Sequence, residues 1–127
     1  MSDMEWQCRN WYYFTWLSGD HIVEQFVHNL DVMNWLFDGP PLKAIGSGGR
    51  TARGDPNFGH IYDHFNIVYE YEGGVRVTAM CRQMENCYTQ TSNRIIGTEG
   101  VADVNPAASA LRAHNGGMLF ANPERGA

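Results

Sequence analysis

Residues 65 to 82 constrain this chain more than any other stretch. Phe65, Ile67, Tyr69 and Tyr71 alternate with Asn66, Val68 and Glu70. After Glu72-Gly73-Gly74, Val75, Val77, Ala79 and Cys81 alternate with Arg76, Thr78, Met80 and Arg82. Successive side chains of a strand point to opposite faces, so each run has one apolar side. A three-residue loop pairs Tyr71 with Val75, Tyr69 with Val77 and Ile67 with Ala79, which keeps both apolar sets together. It also sets Glu70 opposite Arg76 on the other face. A two-residue loop would mix the faces. A hairpin with one apolar side needs cover, and the rest of the chain must supply it.

The cover lies upstream. From His21 onward Ile22, Phe26, Leu30 and Met33 recur at spacings of three and four, with Val23, Val27 and Phe37 widening the stripe. The spacing predicts one helix over 20–38. Asp20 caps its start with a carboxylate that accepts first-turn amides, and Gly39-Pro40-Pro41 ends it, glycine tolerating the left-handed stop. The aromatic run 11–17 reads as extended, closed by Ser18-Gly19. Leu42 to Gly46 reads as a short strand entering a glycine-rich loop, Gly46-Ser47-Gly48-Gly49-Arg50, and 51–59 as a further loop. Asn93 to Gly97 and Val101 to Val104 form a second strand pair around Thr98-Glu99-Gly100. Beyond Pro106 the pattern fades. One helix followed by meandering strands predicts an α+β fold: a mostly antiparallel open sheet with helix packed on one face. Its other face, with Val68 and Met80 among Asn66, Glu70, Thr78 and Arg82, suits cover by another domain or a second subunit.

Composition narrows the function classes. A chain of 127 residues is one domain. Charged residues at 18% and aromatics at 13% exclude a disordered tail. A net charge of −5 argues against a nucleic-acid surface. No apolar run approaches the roughly 18 residues of a membrane span, and Met1-Ser2-Asp3-Met4-Glu5 carries acid where a signal peptide carries Lys or Arg, so these residues are not expected to act as an export signal. Three cysteines are too few for a disulfide scaffold, and the spacing of Cys81 and Cys87 matches no common zinc knuckle; reduced, buried thiols are expected.

The helix carries a second stripe. Glu24, His28, Asp31 and Trp35 are spaced four, three and four, which at about 100° per residue puts them on one side. An imidazole with a carboxylate one turn away on each side is a sensible base, because its ordinary pKa near ~6.5 suits proton transfer at neutral pH. A solvated face with ordinary helix pairs is the plainer reading. Three other features read as structural. Gly46 to Thr51 starts like a dinucleotide fingerprint, but Thr51 stands at its last glycine and no helix opens after it, so it reads as a turn. His60, Asp63 and His64 read as polar lining of a cleft rather than a metal trio, and Trp6, Trp11, Trp16 and Trp35 as core rather than sugar platforms.

The run Ser18-Gly19-Asp20-His21-Ile22-Val23-Glu24-Gln25-Phe26-Val27-His28-Asn29-Leu30-Asp31-Val32-Met33-Asn34-Trp35 resembles the helix that opens the catalytic half of the Gfo/Idh/MocA oxidoreductases. Gly48-Gly49-Arg50, Asp63-His64-Phe65, Tyr69-Glu70-Tyr71 with Gly74-Val75, and Gly97-Thr98-Glu99-Gly100 extend it over residues 9–104. The resemblance implies a glyceraldehyde-3-phosphate dehydrogenase-like α+β domain. It supplies substrate contacts and oligomer interfaces beside a Rossmann domain that binds NAD or NADP. It implies His28 as the base that takes a hydroxyl proton from a sugar, cyclitol or related polyol, Glu24 orienting it, and Asp31 holding a hydroxyl or the imidazole. Arg50, Asp63, His64 and Trp35 are then substrate contacts. The family acid is commonly Asp, so Glu24 departs from the pattern. The family's catalytic lysine belongs to a Glu-Lys-Pro motif that this chain lacks, and Lys43, its only lysine, stands in another context. Residues 1–127 therefore look like a single, incomplete C-terminal domain, truncated and without its dinucleotide-binding partner, expected to bind no NAD(H) alone and to form homo-oligomers through the open sheet. The alternative is a non-catalytic module that binds carbohydrate or dimerises. Location stays open between the cytoplasm and export in the folded state.

Overall fold

The alternating run folds as the hairpin its pattern requires. In the computed structural model, which describes residues 1–106 and 108–122, Tyr69 faces Val77, Ile67 faces Ala79 and Glu70 faces Arg76. The Tyr71 N–H donates to the Val75 carbonyl at 2.8 Å, closing the loop. In chain order the helices are α1 (Asp3–Arg9), α2 (Thr15–Ser18), α3 (His21–Glu24) and α4 (Val27–Leu36). The strands are β1 (Lys43–Gly49), β2 (His64–Glu70), β3 (Arg76–Arg82), β4 (Asn93–Ile96), β5 (Gly100–Val104), β6 (Ser109–Ala113) and β7 (Met118–Asn122). The architecture is α+β with antiparallel sheets, one ordered β1-β2-β3 and one β4-β5-β6-β7. The chain divides into two compact units, Met1–Cys87 and Tyr88–Ala127.

In the first unit the helices cover one face of β1-β2-β3. Tyr71, just past β2, is 3% exposed. Its hydroxyl donates to Asn34 Oδ1 of α4 at 2.9 Å, and its ring lies 4.7 Å from Phe37. Phe65 meets the His21 ring at 5.0 Å. Met33, Ala79, Phe14 and Ile61 complete a small core. The opposite face is open: Ile45 is 80% exposed, Met80 67% and Val68 40%.

Four local expectations give way to tertiary structure. The helix over 20–38 is broken: after α3 the Gln25 and Phe26 amides both reach the His21 carbonyl, at 3.2 and 3.0 Å. The second of these bonds spans five residues, as in a π-type turn. α4 then ends in a left-handed residue that is Asp38 (φ 54°) and not Gly39. Residues 11–17 are not extended but form a 3₁₀ turn, Trp11–Tyr13, and α2. Their rings contact one another edge-on, and among the described residues no strand pairs with them to use their β-propensity. β1 runs on through its glycines instead of stopping at Gly46. A Cβ on Gly46 would lie 2.7 Å from Ile67 Cγ1, and one on Gly48 2.8 Å from Phe65 Cδ1. Only glycine lets β1 pair flush beside those side chains. The cysteines form no disulfide among the described residues, and Cys8 is exposed rather than buried.

In the second unit β4 and β5 pair as expected, Ile96 facing Val101 and Asn93 facing Val104. The hairpin of β6 and β7 was not anticipated. It turns on Asn115-Gly116-Gly117, with Gly116 at φ 88° and a bulge at Leu111/Arg112. Residues 107 and 123–127 lie outside the described residues.

Candidate functional site

The site begins at a strained residue. Asp20 has φ 77° and ψ 163°, a region that glycine alone enters readily. Its carboxylate holds it there. Oδ1 accepts the His21 N–H at 2.6 Å and lies 3.1 Å from His21 Nδ1, while Oδ2 accepts the Tyr62 N–H at 2.8 Å. His21 Nδ1 also reaches the Tyr62 carbonyl at 3.1 Å. A carbonyl only accepts, so Nδ1 carries the proton and Nε2 takes the Cys81 S–H at 3.4 Å. Burial, then the charge of Asp20, pushes the Cys81 thiol up to about 11, although the Phe65 backbone amide opposes them. The buried Asp20-His21 pair thus clamps the start of the helix onto residue 62.

Along the helix the four stripe residues separate at the break. His28, Asp31 and Trp35 share the unbroken α4 and are all exposed, Trp35 at 84%. Spacings of three and four on one continuous helix keep them on one side. Glu24 belongs to α3, is half-buried, and has one carboxylate oxygen, Oε2, buried without a partner among the described residues. Exposure overturns the expectation that the tryptophans are core: Trp6, Trp11, Trp16 and Trp35 all keep more than a third of their surface.

The remaining residues sit on the loop after β1 and at the start of β2. Arg50 Nε donates to the Arg53 carbonyl and Nη2 to the Asp55 carbonyl at 2.9 Å, so its guanidinium braces the loop. Asp63 is fully buried. Its Oδ2 accepts the amides of Thr51, Ala52 and Arg53 at 2.7, 2.6 and 3.1 Å, and Oδ1 takes His64 Nδ1 at 2.8 Å. Burial alone would raise this carboxyl, but the His64 bond and the three amides hold it well below the usual carboxylate range. Asp63 therefore fixes the His64 tautomer and leaves Nε2 with the lone pair. By strand alternation His64 lies with Asn66 and Val68, away from the helices. His60 turns to Thr15, whose hydroxyl lies 3.0 Å from Nδ1. Among the described residues no three metal-ligating side chains gather. The residue that spacing could not find is Arg53. Its guanidinium lies over the rings of Tyr13 and Phe58 at 5.2 and 5.5 Å, and its Nε donates to the Gln83 carbonyl at 2.9 Å.

A solved structure of a Thermotoga maritima protein described as an oxidoreductase superposes with a TM-score of 0.69 at 17% identity, over 91% of this chain. The chain spans 36% of that structure's length. No curated protein matches the sequence. The family model for the GFO/IDH/MocA C-terminal domain matches residues 2–103, an interval that holds the clamped helix start, the exposed stripe, the Asp63 loop and the hairpin. The chain belongs to the GFO/IDH/MocA C-terminal domain family.

Proposed function

We propose that this chain forms the substrate-facing part of an NAD(P)-dependent oxidoreductase acting on a sugar, cyclitol or related polyol. The observation that carries this reading is the exposed face of α4, where a base, a carboxylate and an indole stand at helical spacing. A polyol offers ring C–H faces for Trp35 to stack on, vicinal hydroxyls for Asp31 and a hydroxyl whose proton His28 would take as the carbinol carbon gives up hydride to the nicotinamide. Glu24, across the break, orients the imidazole. Arg50 and Asp63 act through the loop they brace, and His64 presents its Nε2 from the strand. The dinucleotide does not fit this chain's own residues. Gly46 to Gly49 lie in the β1 ladder, and the amides that follow, which a pyrophosphate would need, already hold Asp63. The cofactor would be bound by another part of the protein.

The test joins the chain to a matching dinucleotide-binding domain. His28→Ala should lower turnover about 10²–10⁴-fold, the usual loss for a positioned base, with substrate affinity changing far less. Near-normal turnover across pH 6 to 9 would remove the catalytic assignment.

A further inference from the structure

A cavity of about 340 Å³ lies wholly within the second unit, a volume at the small end of ligand pockets. Its floor is one row across the sheet, in which Ile95 faces Ala102 and Ala102 faces Leu111. Alanine is the smallest of the three, so the row dips between two branched side chains. A further apolar wall comes from the bulge. Leu111 faces Phe120 and Arg112 faces Met118, which leaves Leu119 as an extra residue without a partner in the ladder. A bulge re-aims such a residue, and here Leu119 joins the lining. Leu111 and Leu119 keep 37 and 62% of their surface, so these alkyl walls are open to a guest.

The remaining wall is the turn Gly97-Thr98-Glu99-Gly100, a motif with no part in the proposed substrate face. It is held from several directions. The Gly97 N–H donates to the Gly100 carbonyl at 2.9 Å, and the His114 N–H to the Glu99 carbonyl at 3.0 Å. His114 Nε2 donates to the Gly97 carbonyl at 2.9 Å, since a carbonyl only accepts. A Cβ on Gly100 would run into the Arg112 carbonyl, so glycine is required where the turn meets β6. With those carbonyls engaged, the turn meets a guest through the Thr98 hydroxyl and the Glu99 carboxylate. Glu99 is the one charged residue in the lining.

These features select a ligand class. Alkyl walls favour an apolar body. A carboxylate at one end repels an anion and gives an alcohol a single hydrogen bond, whereas an ammonium gains a charge-assisted one. We propose that this cavity binds a small primary amine with an apolar body. The ammonium meets Glu99 and Thr98, and the carbon chain lies over Ala102 between Ile95, Leu111 and Leu119. The site shares no residue with the α4 stripe and does not depend on the oxidoreductase reading.

Methyl NMR of the 127-residue chain tests this. Hexylamine is the probe, with hexanol and hexanoate as its neutral and anionic counterparts, each titrated at neutral pH. Hexylamine should shift the Ala102, Leu111 and Leu119 methyls with a Kd of about 1 mM, ordinary for a ligand of this size, and hexanoate should leave them unmoved. Glu99→Gln, an exposed position in the turn, should weaken hexylamine about 3–5-fold, the worth of a partly exposed ion pair, and leave hexanol unchanged. Methyls that ignore hexylamine, hexanoate binding as tightly as the amine, or a Glu99→Gln effect that is absent or equal for amine and alcohol would each overturn the proposal. Shifts that grow with protein concentration in the absence of amine also overturn it, and assign the cavity to a contact between copies.

Discussion

Asp63 has no exposed surface, yet it is the most heavily hydrogen-bonded carboxylate of the first unit. Its folded-state pKa is depressed, so the unfolded chain binds this proton more readily than the folded one. The stabilisation is therefore full above the unfolded value near ~4 and is lost as pH falls towards the folded value. Melting temperature should drop as pH falls from about 4 to 2. Asp63→Asn should flatten that acid limb and cost about 3 kcal/mol at pH 7, because three amides and an imidazole lose a charged partner. A variant with an unchanged acid limb would show that Asp63 carries no such linkage. Cysteine chemistry gives a second reading at this scale. Cys8 is exposed and the Cys81 thiol is pushed up to about 11, and the thiolate is the reactive form. Iodoacetamide at pH 8, followed by mass spectrometry, should label Cys8 well before Cys81.

Among the elements, the hairpin was legible because a period of two admits a single register once the loop length is set; Tyr71, Glu70 and Ile67 then have fixed partners. The break between α3 and α4 was not, because no Gly or Pro marks it. It depends on a buried ring and a strained backbone held by residue 62, which is 41 positions from His21. The glycines of β1 misled for a related reason: they answer to Ile67 and Phe65 across the ladder rather than to a turn. The geometry of the stripe was legible only in part, since His28, Asp31 and Trp35 share one helix while Glu24 lies across the break from them. Asp20 tests this account. Asp20→Gly removes the carboxylate and also the strain, whereas Asp20→Ala removes the carboxylate and keeps a Cβ at φ 77°. Both should destabilise, and the alanine variant should be worse by about 1 kcal/mol or more in urea unfolding. Equal losses would mean that the backbone relaxes and stores nothing.

At the scale of the whole molecule, the helices cover only one side of the first sheet. Ile45, Val68 and Met80 lie on the uncovered side and keep 80, 40 and 67% of their surface. Ile45 pairs with Val68 across β1 and β2, and Met80 sits one step along beside Asn66, so the three form a patch rather than scattered residues. Its surroundings carry both signs, with Lys43 and Glu70 at one end and His64 and Arg82 at the other. A patch that is apolar in the middle and polar at its rim can match its own two-fold copy. We therefore expect the chain to self-associate through this face at tens of micromolar. Val68→Glu with Met80→Lys should abolish the association without unfolding the protein, because neither side chain contributes to the buried core. Light scattering that finds a monomer for the wild-type chain would remove the self-association reading, and an unchanged oligomer in the double variant would move the interface elsewhere.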